Sequence, residues 1–529
     1  MRVLGLPEEF KWGVSYSGFQ FEMGDIEGRS LDPNTDWYIW VHDVDNIRKG
    51  VVSGDLPEHG VNYWFLYGID HTIAKSLGLN VFRIGIEWSR IFPTSTKKVE
   101  VGVERASDGK ISKIDIDEGD LEKLDRIANK SALKHYREII EDLLRKELEV
   151  IVCLNHFTLP IWIHDPILAR KTKLREGPLG WVNETTIVEF VKYVAYIAWK
   201  LGDLVDWWAT LNEPLVVAEA GYATLEQSFP PGVLDYNAFK KACINLVIAH
   251  SRAHDMLKRF DTIRAEEKSP SPAHVGLIHN VIPITPASER EEDISAAKLL
   301  DHIHNRFILN AVTEGWLDEN FNLEKDSGEE KSYLSNRLDW LGVNYYTRTV
   351  VRGVKSILAR IVVGLPVIPV MVEGYGFRCS PRSTSYDGRP TSDFGWEIYP
   401  EGLIEALKIA SEYKKPILVT ENGIADMDDS LRPKYLLDHI KALERAVSEE
   451  KIDVRGYLHW SLIDNYEWAH GFKMKFGLYS VNILSKERAP RPSAEIYKKI
   501  VEENGVSTGL ELYVEHFMKK YKYSRQELQ

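Results

Sequence analysis

Two glutamates hold the chemistry most readily read from this chain: Glu213 in Thr-Leu-Asn-Glu-Pro and Glu421 in Val-Thr-Glu-Asn-Gly. Each ends a short apolar, β-like run, Trp207-Trp208-Ala209-Thr210-Leu211 in one case and Pro416-Ile417-Leu418-Val419-Thr420 in the other. Pro or Gly follows within two residues, and both stop a strand. Carboxylates at strand ends point out of a sheet, and two in matching contexts suit paired-acid chemistry. Glycosidic bond cleavage is the reaction that most often needs such a pair.

The elements that must position them recur along the whole chain. Short β-rich runs fall at 12–20, 80–88, 149–156, 205–213, 275–282, 338–346, 416–421 and 454–461, separated by amphipathic stretches such as 187–201, 236–259 and 403–413. Strand–helix alternation argues for parallel βαβ units, and eight of them close into a barrel. The fold expected is therefore α/β, a single (β/α)8 TIM barrel with elaborated loops over residues 1–529. No Gly/Ser linker or low-complexity tract divides the sequence. Two insertions stand out, at about 97–130 and 355–375. The first is highly charged and reads as a solvated excursion. Within the second, 357–372 is unusually apolar but carries Arg360, Pro366 and Pro369, and falls short of the ~20 apolar residues of a membrane span. Its place after strand six puts it on the catalytic face, lining the leaving-group side or a subunit interface.

Composition narrows the function classes. A net charge of −13 argues against a nucleic-acid partner. The beginning, Met1-Arg-Val-Leu-Gly-Leu-Pro, has no apolar signal core. Cys153, Cys243 and Cys379 are odd in number and widely spaced, which fits reduced thiols in a cytoplasmic protein rather than a disulfide framework or zinc site. Gln occurs only at Gln20, Gln227, Gln526 and Gln529 while charged residues abound, the bias of hyperthermophile proteins.

Barrel active sites are built at the C-terminal ends of the strands. Those ends carry Gln20, His156, Asn212-Glu213, Asn344-Tyr345-Tyr346 and Glu421-Asn422, with Glu467-Trp468 beyond Trp460. One such histidine or tryptophan alone is ordinary core. Core packing does not explain polar residues at six of eight ends.

With Phe10-Lys-Trp-Gly-Val-Ser-Tyr-Ser-Gly-Phe-Gln20-Phe-Glu22, Phe82-Arg83-Ile-Gly-Ile-Glu-Trp-Ser-Arg90, Asn155-His156-Phe157 and His459-Trp460 to Glu467-Trp468 added to the two glutamate motifs, the chain resembles glycoside hydrolase family 1 over nearly its whole length. These are the retaining β-glycosidases. Ser392-Asp-Phe-Gly-Trp-Glu-Ile-Tyr-Pro400 is similar to the archaeal branch. The resemblance implies Glu421 as nucleophile, supported by Arg83, Asn344 and Tyr346, and Glu213 as acid/base, its pKa raised by the like charge of Glu421. It implies Asn212 on the sugar 2-hydroxyl, and Gln20, His156, Tyr346, Trp460, Glu467 and Trp468 around the glycone. Trp396 is implied on the leaving-group side. No metal or cofactor is implied. The substrates implied are small β-glycosides or oligosaccharides, and a homo-oligomer (tetramer or dimer) is expected.

Departures from the family pattern bear on the substrate. Glu467 is acidic and Met474 stands seven residues later, where the phospho-glycosidase branch tends to have Ser and Lys, so a phosphorylated glycone is disfavoured. Arg83 and Asn212 look like the glucosidase/galactosidase state rather than that of some related β-mannosidases. Phe157 stands where the family commonly has Trp. An endo-acting cellulase of similar fold and a silent sugar-binding relative are the alternatives. Gln20 and Glu467-Trp468 argue against the first, the presence of both glutamates against the second.

Overall fold

The computed structural model describes residues 5–267, 269–355, 365 and 367–526. Eight parallel strands form a closed barrel: β1 (Lys11–Ser15), β2 (Val81–Gly85), β3 (Glu149–Cys153), β4 (Trp207–Asn212), β5 (His274–Asn280), β6 (Trp340–Asn344), β7 (Ile417–Asn422) and β8 (Val454–His459). Each strand pairs with its neighbours in chain order, and β8 closes on β1 with Trp12 opposite Tyr457 and Val14 opposite His459. The strands are continuous apolar runs because the barrel interior covers one face and helices cover the other. All eight lie within one or two residues of the sequence-derived runs at their starts.

Alternate strand residues fill the barrel: Val81, Ile151, Cys153, Trp207, Ala209, Ile278, Trp340, Leu418 and Leu458 make one interior cluster. Trp207 and Trp340 meet edge to face at 5.6 Å between centroids. Gly276 gives them room, since a Cβ there would lie 2.2 Å from the Trp340 ring. Outside, helices Thr185–Leu201 and Tyr236–Phe260 match the amphipathic stretches expected and bury their apolar faces against the barrel and each other.

The charged insertion is not merely a solvated excursion. Gly102–Arg105 and Ile111–Asp115 pair as an antiparallel hairpin, followed by helix Glu118–Ile127 with a capping box between Asp117 and Asp120. Ile111, Ile114, Ile116, Leu121 and Leu124 anchor it to the main core. Of the apolar insertion, residues 356–364 and 366 lie outside the described residues. Beyond them, Ile368–Met371 pairs antiparallel with Thr349–Val354, which also pairs with Ile284–Pro286. Leu365 and Val367 join the main core, so the described part of this segment packs on its own chain. No helix among the described residues is long and apolar enough to cross a membrane.

Candidate active site

Glu421 sits in the last turn of β7, where pairing slips against both neighbours beyond Val419. That slip turns the carboxylate toward the barrel axis. Arg83, at the middle of β2 and fully buried, donates from Nη1 to Glu421 Oε1 at 2.7 Å. Tyr346 donates its hydroxyl to Glu421 Oε2 at 2.7 Å. Burial pushes the Glu421 carboxyl up, while Arg83 and then Tyr346 pull it back toward the ionised form.

Glu213 follows β4 directly and takes a left-handed backbone, φ 46° and ψ 54°. A non-glycine residue there stores roughly 1–3 kcal/mol of strain, of the kind concentrated at functional sites. Pro214 opens helix Pro214–Tyr222 at its first position, where its missing N–H costs nothing. The Glu213 N–H is fixed to the Ile278 carbonyl at 2.8 Å. Glu213 Oε1 accepts from the Asn344 amide at 2.7 Å and from Asn280 at 3.2 Å.

The two carboxyls therefore differ in their partners. Glu421 has a guanidinium and a phenol; Glu213 has two neutral amides. Glu213 is pushed up to about 7, by burial first and by the charge of Glu421 second, so the like charge anticipated from sequence is the lesser cause. A short chain of contacts joins the pair. Arg83 Nη2 donates to Asn212 Oδ1 at 2.9 Å, Asn344 Nδ2 reaches the same oxygen at 3.1 Å, and Asn344 then holds Glu213. Asn344 is in register with Glu421, yet its amide is spent on Glu213 and Asn212, while its carbonyl oxygen accepts from Thr420 at 2.7 Å.

The remaining sequence-derived residues gather around this pair. Gln20 donates from Nε2 to Glu467 Oε2 and Asn465 Oδ1, each at 3.2 Å. His156 lies 3.0 Å from Arg83 Nη2 through Nδ1. Burial and then Arg83 hold His156 well below the usual range, so it is neutral. Nδ1 faces the Arg83 N–H, and Nε2 faces the Asn212 amide at 3.2 Å, so the ring is held from both sides. Trp460 stacks on His156, and Trp468 stacks on Phe19 and packs against Trp37, Phe157 and Phe229. Trp396 stands apart, half-buried between Phe394, Phe377 and the edge of Tyr346. Glu467 is pushed up to about 8 by burial, then by Glu421 and Glu213.

Sequence reading missed three supports. Asn280 ends β5 as Asn212 ends β4 and Asn344 ends β6, a repeated apolar-then-Asn signal that gives it away once aligned. Asn465 sits inside the Trp460–Trp468 segment. Glu87, just past β2, accepts from the Phe19 N–H at 2.9 Å and so fixes the turn bearing Gln20. Among the described residues no group of three or more His, Cys, Asp or Glu side chains is placed to hold a metal ion.

The model of Glycosyl hydrolase family 1 matches residues 4–104 and 124–506, leaving out most of the inserted hairpin. A β-galactosidase of Pyrococcus woesei is 48% identical over 513 residues, 96% of this chain and 98% of that protein. The β-glycosidase of the hyperthermophile Thermosphaera aggregans has a similar structure, with a TM-score of 0.87 and 42% identity, covering 97% of this chain and 99% of that one. A β-glucosidase mutant derived from a hyperthermophilic tetrameric structure matches at a TM-score of 0.84 and 42% identity, covering 96% and 98% of the two chains.

Proposed function

Because this chain belongs to glycosyl hydrolase family 1 and to its archaeal-type β-glycosidases, we propose that it removes one terminal, unphosphorylated β-D-glucosyl or β-D-galactosyl residue from small β-glycosides or oligosaccharides, with retention. Glu421 is the nucleophile and Glu213 the acid/base. The observation that carries this division is the difference in partners: Arg83 and Tyr346 on Glu421, amides alone on Glu213.

A proton shared by the pair rests on Glu213, whose ionised form lacks a cation at hydrogen-bond distance. Glu421 attacks the anomeric carbon as the bond to the leaving oxygen breaks, and Glu213 gives that oxygen its proton. The glycosyl ester neutralises Glu421, which removes one reason for Glu213 to stay protonated. Glu213 then takes a proton from water as the water oxygen attacks the anomeric carbon, and Glu421 leaves as carboxylate. Retaining enzymes hold such carboxyls about 5–5.5 Å apart, close enough for the contact chain through Asn212 and Asn344.

Gln20, Glu467 and His156 supply directional partners for hydroxyls, and Trp460 a face for the ring. Glu467 supplies no positive charge to hold a phosphate at that end of the pocket. Support for a homo-oligomer, tetramer or dimer, comes from the tetrameric origin of the related β-glucosidase and from exposed Leu512 and Tyr513 on helix Thr508–Gln526. Three free cysteines support a cytoplasmic location.

The test is azide rescue with aryl β-glucoside, galactoside, mannoside and fucoside substrates. Glu421→Gly is expected to yield the inverted α-glycosyl azide and Glu213→Ala the retained β-azide. The same anomer from both variants overturns the assignment, and the substrate panel ranks the glycones.

A further inference from the structure

Behind Glu213 lies a partly buried ion pair that the double displacement does not use. His304 Nδ1 lies 2.9 and 3.0 Å from the two oxygens of Glu219, and His304 is 3% exposed. Glu219 belongs to helix Pro214–Tyr222, the helix that Glu213 itself caps. His304 lies in a single π-helical turn, His302–Arg306, between helices Glu291–Asp301 and Phe307–Glu314. Such turns recur at functional sites because the extra residue redirects side chains and frees backbone carbonyls. Here the His304 carbonyl is contacted by His279 Nε2 of β5 at 2.8 Å. The same stretch of β5 holds Glu213 twice, through the Ile278 carbonyl and the Asn280 amide.

We propose that His304, clamped by Glu219, is a positioning residue for Glu213, holding the end of β5 against the acid/base and placing an imidazolium behind it. The inference rests on the reading of Glu213 as acid/base. The groups facing His304 are Glu219 from the helix after β4, Glu213 from the end of β4, and His279 from β5, whose ring is 5.9 Å away. Cys243, on helix Tyr236–Phe260, flanks Glu219 as a neutral thiol kept protonated by burial. His302 and Arg306 of the same turn are engaged elsewhere, with Asp318 and with Asp301 and Glu412. Burial opposes charge on His304, but Glu219, then Glu213 and the Asn280 backbone, outweigh it and push the imidazole up. His279 is held at about 3 by burial and by His304, so it stays neutral, and of the two rings it is His304, paired with Glu219, that is placed to carry a proton. The imidazolium favours the ionised form of Glu213, the form that must act as base on water. Its presence keeps a deeply buried acid from holding its proton too tightly.

The test is the pH profile of kcat/KM. Glutamine at 304 keeps a hydrogen-bonding group and removes the positive charge while Glu219 stays negative. His304→Gln is therefore expected to move the alkaline limb upward by about 0.5–1 pH unit, the scale of one charge acting at an effective dielectric near 20. The double variant His304→Gln/Glu219→Gln, which removes both charges, is expected to return the limb toward that of the wild type. Glu219→Gln alone removes the negative member, so its limb moves down. Unmoved limbs with altered Tm only, or an upward shift in all three variants, would mean packing alone and overturn the proposal. If His304→Gln does not fold, the sign of the Glu219→Gln shift still decides, an upward shift overturning it. The limb must vanish in Glu213→Ala with an activated aryl substrate. Should it persist there, the assignment of Glu213 fails instead.

Discussion

Arg83 and Glu421 meet at 2.7 Å, one fully buried and the other 3% exposed, at the centre of the barrel mouth. A buried ion pair of this kind is poor evidence for stability, since desolvating both charges offsets most of their attraction. Its value is chemical. The guanidinium opposes the burial that pushes the Glu421 carboxyl up, and its second nitrogen reaches Asn212 and His156 at 2.9 and 3.0 Å.

Lysine at this position keeps the charge but not the fork. One ammonium cannot hold Glu421, Asn212 and His156 in their present geometry. Arg83→Lys is expected to fold and to lose about 10²–10³-fold in kcat/KM, the usual effect of removing a preorganised electrostatic contact. Steady-state kinetics beside a circular dichroism melt check this. Full activity with a normal melt would show that charge alone suffices.

Tyr346→Phe removes the 2.7 Å hydroxyl from Glu421 Oε2 and leaves the ring packed against Trp396. The Glu421 carboxyl then rises further, so a higher pH is needed to ionise it. The acidic limb of kcat/KM is expected to move up in pH, with a loss of roughly 10–100-fold at the optimum for one hydrogen bond to a charged group. An acidic limb that stays in place would separate Tyr346 from the ionisation of Glu421.

The barrel and its two glutamates were legible because β4 and β7 end in the same grammar, an apolar run, a carboxylate and a breaker. The supports were harder to read because their role is tertiary. Asn280 lies within a β-rich run that continues to residue 282, and nothing local says that its amide crosses to Glu213. The hairpin at Gly102–Asp115 was hidden by charge: Gly102–Arg105 is wholly exposed and lacks the alternation of a half-buried strand. Its signal was the Asp108-Gly109 turn between Val103 and Ile111, a turn dipeptide with an apolar residue on each side. Asn344 stands in register with Glu421, but where its amide points depends on the slip in β7 pairing.

Glu467 links specificity to stability. In the folded protein its carboxyl titrates at about 8, against an ordinary value of 4.5. Between those values the folded state binds more protons than the unfolded one, so stability falls as pH climbs from about 4.5 through about 8. Part of the side chain remains open to the pocket, which moderates the effect. Glu467→Gln is expected to melt higher than the wild type at pH 9, by an amount on the order of 1–3 kcal/mol, with little difference at pH 4. The same change removes an acceptor for the glycone and should raise KM. Melting curves across this pH range check it, and a difference in Tm independent of pH would refute the assigned titration.

Gly423, two residues after Glu421, has no room for a side chain. A Cβ there would stand 1.8 Å from the Trp460 carbonyl oxygen and 2.8 Å from its carbonyl carbon, both backbone atoms that cannot rotate away. The Trp460 N–H is in turn bound to the Asn422 carbonyl at 3.0 Å, so β7 and β8 are pressed together at the point where each presents a site residue. Gly423→Ala must push these strand ends apart, tilting Trp460 and shifting Glu421 relative to Arg83. The expected loss is roughly 1–3 kcal/mol, as for overpacking, together with a fall in kcat larger than any rise in KM. Gly68 supplies the contrast, since it lies within helix Tyr63–Ser76 and a Cβ there meets nothing nearer than 4.0 Å. Gly68→Ala is expected to stabilise by about 0.5–1 kcal/mol through helix propensity, with activity unchanged. Equal effects of the two substitutions on Tm and kcat would show that the close approach of β7 and β8 does not set the geometry of Glu421.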